Sequence, residues 1–180
     1  MERAYGRIFV ARFAAGSGVR IEGRAAAHNC PALRQWLEEE LEDGTERVFI
    51  DLAGCTHLDS TCVGTLLFLA KHPQLQRGGL QLVRPSAECQ QVLRQMCVLR
   101  MFAIGDEAGG MPAGHENEGF WSELTCEWND GARQLFKQNV VQAHEELAGV
   151  PSPLSDCFRQ IAEEGKKELQ EAHSGPPRDA

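Results

Sequence analysis

The stretch RVFIDLAGCTHLDSTCVGTLLFLA, residues 47–70, decides the fold of this chain. Residues 48–52 form a nearly continuous apolar run, which is typical of a central strand buried on both faces of a sheet. The polar triplet Asp59-Ser60-Thr61 follows. Behind it, the apolar residues of segment 63–70 recur at the spacing of a helix. A buried strand, a polar connection and an apolar helix indicate one unit of a parallel α/β sheet.

The residues before this unit predict a hairpin and a helix. Residues 5–13 and 18–25 each alternate β-forming apolar residues with other residues, around a Gly-Ser-Gly turn, which is typical of two antiparallel strands. Residues 31–42 then place leucines on one side and glutamates on the other at helical spacing. Asp43-Gly44 ends this helix.

The residues after the unit continue the alternation of strands and helices. Residues 78–85 predict a strand that Pro85 ends, and Ser86 caps a third helix. Residues 101–104 predict a small edge strand. The chain is therefore predicted to be an α/β protein with the order β-β-α-β-α-β-α(-β), a mixed sheet of four to five strands with helices packed on it.

The sequence divides into four segments. Residues 1–106 form the α/β domain, residues 107–130 a linker rich in glycine and acids, residues 131–172 a helical extension, and residues 173–180 a disordered tail. The extension contains two helices, the first marked by an apolar stripe at Ala132, Leu135, Phe136, Val140, Ala143 and Leu147. Packing on the same chain is expected to cover such stripes, and a homodimer through these helices is the alternative.

Composition excludes several classes of function. The net charge of −8 disfavours nucleic acid and anionic membranes as direct partners. No apolar run has the roughly 20 residues that span a bilayer, and the N-terminus does not resemble a signal peptide, so we expect a cytoplasmic protein. The seven cysteines are an odd number in mainly apolar patterns, which predicts reduced thiols. Cys55, His57 and Cys62 match no metal-site spacing, and we expect no metal and no cofactor.

The triplet 59–61 has two interpretations. Asp59 or Ser60 can cap the backbone N–H groups that begin the following helix. A helix N-terminus also stabilises an anion, so a phosphate on Ser60 or Thr61 would be tolerated there. With the cap supplied by its neighbour, the Thr61 hydroxyl is predicted to face outward from the first turn.

These residues resemble the STAS domain of bacterial anti-sigma factor antagonists. The resemblance covers about residues 5–106 and rests on RVFIDLAGC, THLDSTCVG, TLLFLA, GGLQLV and VLRQMCVLRMFAI, together with the order of elements. The signature of that family is Asp-Ser-Ser/Thr-Gly-Leu/Val-Gly. Here it stands as Asp59, Ser60, Thr61, Cys62, Val63 and Gly64.

The resemblance implies a regulatory binding protein and not an enzyme, so no catalytic residue is assigned. It implies that the six residues of the signature bind an anti-sigma factor, which is also a serine/threonine kinase. That kinase would phosphorylate Thr61, with Ser60 as the alternative acceptor, and so end the binding until a phosphatase restores it. Transcription regulation by partner switching would follow. Cys62 departs from the family because it replaces the glycine after the phosphoacceptor.

Two alternatives remain at this stage. The first is a STAS scaffold or interaction module of a signalling complex that is not phosphorylated, which Cys62 favours. The second is a thiol-based redox sensor or enzyme acting through Cys62, since a thiol in the first turn of a helix can have a lowered pKa. No general base is identifiable near Cys62 from the sequence, so packing is the expected role of this cysteine.

Overall fold

The structure is a computed structural model that describes residues 6–76, 78–105, 111–125 and 128–173, the last without its side chain. Within these residues the strands are β1 Arg7–Phe13, β2 Gly16–Ala25, β3 Val48–Asp51, β4 Cys55–Leu58, β5 Leu80–Val83, β6 Ala103–Gly105 and β7 Ser122–Glu123. The α-helices are α1 Cys30–Glu42, α2 Ser60–Ala70, α3 Ala87–Gln95, α4 Asp130–Ala148 and α5 Ser155–His173. Short 3-10 turns lie at Ala27–Asn29, Pro73–Leu75, Leu99–Met101 and Glu118–Phe120.

The sheet is mixed, in the order β6-β5-β3-β2-β1-β7, with β4 paired to β2 off this path. β1 pairs antiparallel with β2 and with β7. The other pairs, β2 with β3 and β4, β3 with β5, and β5 with β6, are parallel. The predicted α/β class, the opening hairpin and the two C-terminal helices are therefore confirmed.

The core of the sheet has the residues that the sequence patterns placed there. All four residues of β3 are buried, as the continuous apolar run predicts. Val19 and Ile21 of β2 are fully buried, whereas Arg20 and Glu22, which follow them, are more exposed. Leucines of α1 and α2 cover the same cluster, which gives the sheet one well-packed side.

Two short strands were not predicted. β4 extends the connection between β3 and α2 and pairs with the end of β2, where a bulge shifts the register between Gly23 and Arg24. β7 lies in the segment interpreted as a linker. There, the ring of Trp121 lies 5.7 Å from that of Phe13, and the guanidinium of Arg20 lies 4.3 Å above Trp121. Residues 107–110 and 126–127 of the linker, and residue 106 before it, lie outside the described residues.

The helical extension lies against the α/β domain of the same chain. Asn129 caps α4, since its Oδ1 accepts from the N–H of Ala132 at 2.8 Å. α4 packs on α2 and α1, and α5 packs on α4. Gly165 of α5 meets Val141 of α4 so closely that a Cβ at residue 165 would lie 2.6 Å from the Val141 Cγ2. The predicted disordered tail, 173–180, lies outside the described residues except for the backbone of its first residue.

None of the helices among the described residues is both long enough and apolar enough to cross a membrane.

Candidate functional site

Asp59 caps α2 with both of its carboxylate oxygens engaged. Oδ1 accepts from the N–H of Cys62 at 2.8 Å, so Asp59 is the cap of the two that the sequence allows. Oδ2 accepts from the N–H of Ala27 at 2.7 Å and so ties the start of α2 to the turn before α1. Asp59 therefore fixes the position of the whole triplet relative to the sheet.

Ser60, half-buried, is bonded to a histidine of the C-terminal extension. Its Oγ lies 3.0 Å from Nε2 of His144, and Nδ1 of the same ring lies 2.7 Å from the carbonyl oxygen of Val140. A carbonyl only accepts, so in the neutral ring the proton is on Nδ1 and Nε2 accepts from the Ser60 hydroxyl. A serine donating to a histidine is also the arrangement of a nucleophile and its base. Here His144 is 4% exposed and its ring tilts against Phe158 at 5.8 Å, which describes a packed contact between helices.

Thr61 lies in the first turn of α2, as predicted, but its side chain does not face outward. The residue is 5% exposed. It shares one face of α2 with Gly64 and Thr65, three and four positions further on, and this face meets α4. The outward hydroxyl was predicted from α2 alone. In the structure α4 packs on that side of the helix.

The backbones of α2 and α4 touch at Gly64. A Cβ at this position would overlap the carbonyl oxygen of Ala143 and also lie 2.7 Å from the Cα of Ala143. The absence of a side chain at residue 64 is therefore what allows the Ala143 backbone to approach. The last glycine of the signature serves a helix–helix contact within the chain.

A chain of hydrogen bonds runs through the same contact. Nδ2 of Asn139 donates to Oγ1 of Thr65 at 3.0 Å, and the Thr65 hydroxyl donates to the carbonyl oxygen of Thr61 at 2.8 Å. Asn139 is 1% exposed, so its amide would lack a partner if Thr65 were removed. These bonds fix the rotation of α4 on α2.

Two cations at the rim complete the contact. Nη1 of Arg34 in α1 donates to Gln142 at 2.7 Å, and its guanidinium lies 4.5 Å above the ring of Phe68. Nζ of Lys71, just after α2, lies 2.5 Å from Glu146. Arg34 also pairs with Glu38 of α1 at 2.8 Å, so of these two cations Lys71 is the one that meets an acid of α4.

Cys62 and Val63 face the opposite way from Thr61, into the sheet. A hydrogen bond with Cys30 and burial raise the pKa of the Cys62 thiol above its ordinary value. A raised pKa disfavours the thiolate that redox chemistry needs, and Cys62 is 1% exposed. These observations favour the packing role over the redox alternative. The six cysteines described are free, four of them buried.

The signature residues therefore separate into two groups. Asp59 and Ser60 are partly exposed, whereas Thr61, Cys62, Val63 and Gly64 are buried. The sequence did not predict Asn139 and His144 as contact residues, because the prediction for α4 rested on its apolar positions. The polar and small residues of α4 at helical spacing, 139, 142, 143 and 146, were the signal for its contact with α1 and α2.

Comparisons with known proteins give a family but no close relative. The chain matches the family described as "Mlab, STAS domain" over residues 8–102, which is more than half of its length. No curated protein sequence matches it significantly.

Two solved structures are similar to part of the chain. The unphosphorylated form of the anti-sigma factor antagonist SpoIIAA is 14% identical with a TM-score of 0.47, over 56% of this chain and 89% of that one. A Thermotoga maritima protein, provisionally assigned as an anti-sigma factor antagonist, is 20% identical with a TM-score of 0.45, over 53% and 82%. At these identities and scores neither structure supports a conclusion about function.

Proposed function

The chain belongs to the STAS domain family, and we propose that it is a non-enzymatic interaction module of a signalling complex. In this proposal its partner-binding surface is formed by Asp59, Ser60, Thr61 and Gly64, whereas Cys62 and Val63 of the same segment face the sheet. One observation supports this best: the face of α2 that carries Thr61 and Gly64 packs a helix at backbone contact. A surface of this shape suits a protein ligand, whereas small substrates bind in concave pockets.

Thr61 does not act as a phosphoacceptor in this proposal. A kinase needs access to the hydroxyl, and Thr61 is only 5% exposed. A phosphate would add about −1.5 to −2 charges at neutral pH. It would set this charge beside the Asp59 carboxylate and within a dry contact, where desolvation of a charge is unfavourable.

The second candidate is a phosphorylation-switched anti-sigma factor antagonist of the bacterial cytoplasm. The signature at residues 59–64, at the start of a capped helix, supports it. Its partners would be an anti-sigma factor that is a serine/threonine kinase, and a phosphatase. Thr61 would be the acceptor, or Ser60 if its bond to His144 opened. This candidate requires α4 to leave α2 before the kinase acts.

Phosphopeptide mapping of the full chain, isolated from the cells that produce it, distinguishes the two candidates. The interaction module predicts no phosphate at Thr61 or Ser60. The switch predicts phosphate at one of them, with loss of that signal in Thr61→Ala or Ser60→Ala.

Partner capture with Thr61→Val provides the matched functional test, since valine keeps the shape of threonine and removes the hydroxyl. The interaction module predicts that wild type and Thr61→Val capture the same partner with the same regulation. A partner that Thr61→Val binds permanently, and wild type releases in the presence of ATP, would establish the switch and reject the module.

A further inference from the structure

We infer that the face formed by α1 and α2 is a groove for a helix of a partner protein, and that α4 is its resident occupant. This inference rests on the proposed function, in which the segment at the start of α2 binds protein. Because α4 itself lies in the groove, its residues show which features a partner helix needs. The groove is defined here by Arg34, Ser60, Gly64, Thr65 and Lys71.

The first requirement on a partner helix is a small residue at the crossing point. Gly64 leaves no side chain on the groove side, and Ala143 brings its own backbone against it. A larger side chain at the position of Ala143 would separate the helices and break the flanking hydrogen bonds. The groove therefore selects helices with glycine, alanine or serine at this position.

The second requirement is a pair of hydrogen-bonding groups at fixed spacing from the small residue. An amide four positions before it reaches Oγ1 of Thr65, as Asn139 does at 3.0 Å. An acceptor one position after it receives the Ser60 hydroxyl, as His144 does at 3.0 Å. The Thr65 hydroxyl also donates to the Thr61 carbonyl within α2, so a helix without that amide would lose only the bond that Oγ1 accepts.

The third requirement is charge. Arg34 and Lys71 lie at the rim of the groove, and α4 offers them Gln142 and Glu146. A partner helix with an acid three positions after its small residue retains the contact with Lys71. The groove thus fits a helix with the pattern amide, three residues, small residue, acceptor, one residue, acid.

Apolar residues of the α4–α5 pair keep the closed form dominant. Leu147, Val150 and Phe158 belong to the same hydrophobic cluster as the sheet core. A partner helix therefore binds a minor open form, and its apparent affinity is reduced by the fraction of chains that are open. The tethered α4 also competes at an effective concentration of the order of millimolar.

The test uses a labelled peptide of residues 129–150 and the full chain carrying Ala143→Leu. The leucine prevents the chain's own α4 from closing on Gly64, so the groove is free for the wild-type peptide. We expect Ala143→Leu to bind the peptide at least about 100-fold more tightly than wild type, in which the tethered helix competes. Gln138→Leu, the same new side chain at an exposed position of α4, should behave as wild type.

A second substitution verifies where the peptide lies. Gly64→Leu added to Ala143→Leu should abolish peptide binding, because its side chain fills the crossing point. Hydrogen exchange establishes first that α4 is released in Ala143→Leu. If α4 stays protected, a second form of the chain replaces that variant. It carries a protease site inserted after Thr125 and is cut after folding. The peptide then competes for the groove of the cut chain.

Absence of peptide binding to a chain whose α4 is released would overturn the groove. A wild-type dimer that dissociates on Ala143→Leu would assign the face to a second copy and overturn the partner helix. Neither result involves the physiological partner, so the partner capture and phosphate mapping still decide the proposed function separately.

Discussion

The two faces of α2 differ in the residues that they present and in the interactions that stabilise their contacts. The face toward the sheet presents Cys62, Val63, Leu66 and Leu67, all at most 1% exposed. The face toward α4 presents Thr61, Gly64 and Thr65, which are small or polar and also buried. Burying a large aliphatic side chain contributes about 1.5–3 kcal/mol, whereas a net hydrogen bond contributes about 0.5–1.5 kcal/mol.

This difference separates a permanent contact from one that can open. Removing α2 from the sheet would expose leucines and valine to water. Removing α4 from α2 would expose, on the α2 side, a surface of hydroxyls and backbone that water solvates well. We therefore expect the α/β domain to keep the part of its core between α2 and the sheet when α4 is released, although Leu147, Val150 and Phe158 would leave the same cluster.

The largest expected effect is on the sheet side. Leu66→Ala should lower the free energy of unfolding by about 2–5 kcal/mol, because it leaves a cavity in the core. Chemical denaturation of the full chain measures this value. Leu66→Met keeps the volume and should lower it by less than about 1.5 kcal/mol. Equal values for the two variants would mean that this side of α2 is not the tightly packed one.

The next effect is at the crossing of the two helices. Gly64→Ala should weaken the docking of α4 by about 2–3 kcal/mol, because the new Cβ overlaps the Ala143 backbone and the helices must separate. Amide exchange in α4 should then be about 30- to 150-fold faster while β3 remains protected. Gly149→Ala at the end of α4, where a Cβ has only ordinary contacts, is the control. Unchanged α4 protection in Gly64→Ala would contradict the close contact.

A smaller effect is expected from the buried hydrogen bond. Thr65→Val should weaken α4 docking by about 1–2 kcal/mol, because the Asn139 amide remains buried without its acceptor. Thr65→Val combined with Asn139→Leu removes both partners and should recover part of this loss. The rate of amide exchange in α4 is compared between the single and the double variants. A double variant that loses the sum of the single losses would show that the two residues do not interact.

The smallest effect is at the rim. Lys71→Ala should weaken α4 docking by about 0.2–1 kcal/mol, since Lys71 and Glu146 form a partly exposed ion pair that salt screens. The same exchange measurement at low and high ionic strength should show the difference between wild type and Lys71→Ala decreasing with salt. A loss above about 2 kcal/mol would place the main docking energy in the charges.

The sequence predicts α2 and its neighbours well because periodicity reports the apolar side of each element. Val63, Leu66 and Leu67 are buried against the sheet, as their spacing indicates. The other side of α2 has no such signal, because its partner α4 is about 75 residues away and contacts it through small and polar side chains. The outward hydroxyl of Thr61 was inferred without that partner. β7 was not predicted because two residues are too short to show alternation.

The most direct test of an opening contact compares two adjacent thiols on the two faces of α2. Thr61→Cys adds a thiol beneath α4, and the native Cys62 lies against the sheet with a raised pKa. Mass spectrometry follows the labelling of each thiol in the folded chain relative to the same thiol in the unfolded chain. We predict that, relative to the unfolded chain, the thiol introduced by Thr61→Cys is labelled at least about 100-fold faster than the thiol of Cys62. Adding Gly64→Ala should accelerate the labelling of the introduced thiol and leave that of Cys62 unchanged. Equal protection of both thiols from labelling, with no change when Gly64→Ala is added, would contradict a contact between α2 and α4 that opens.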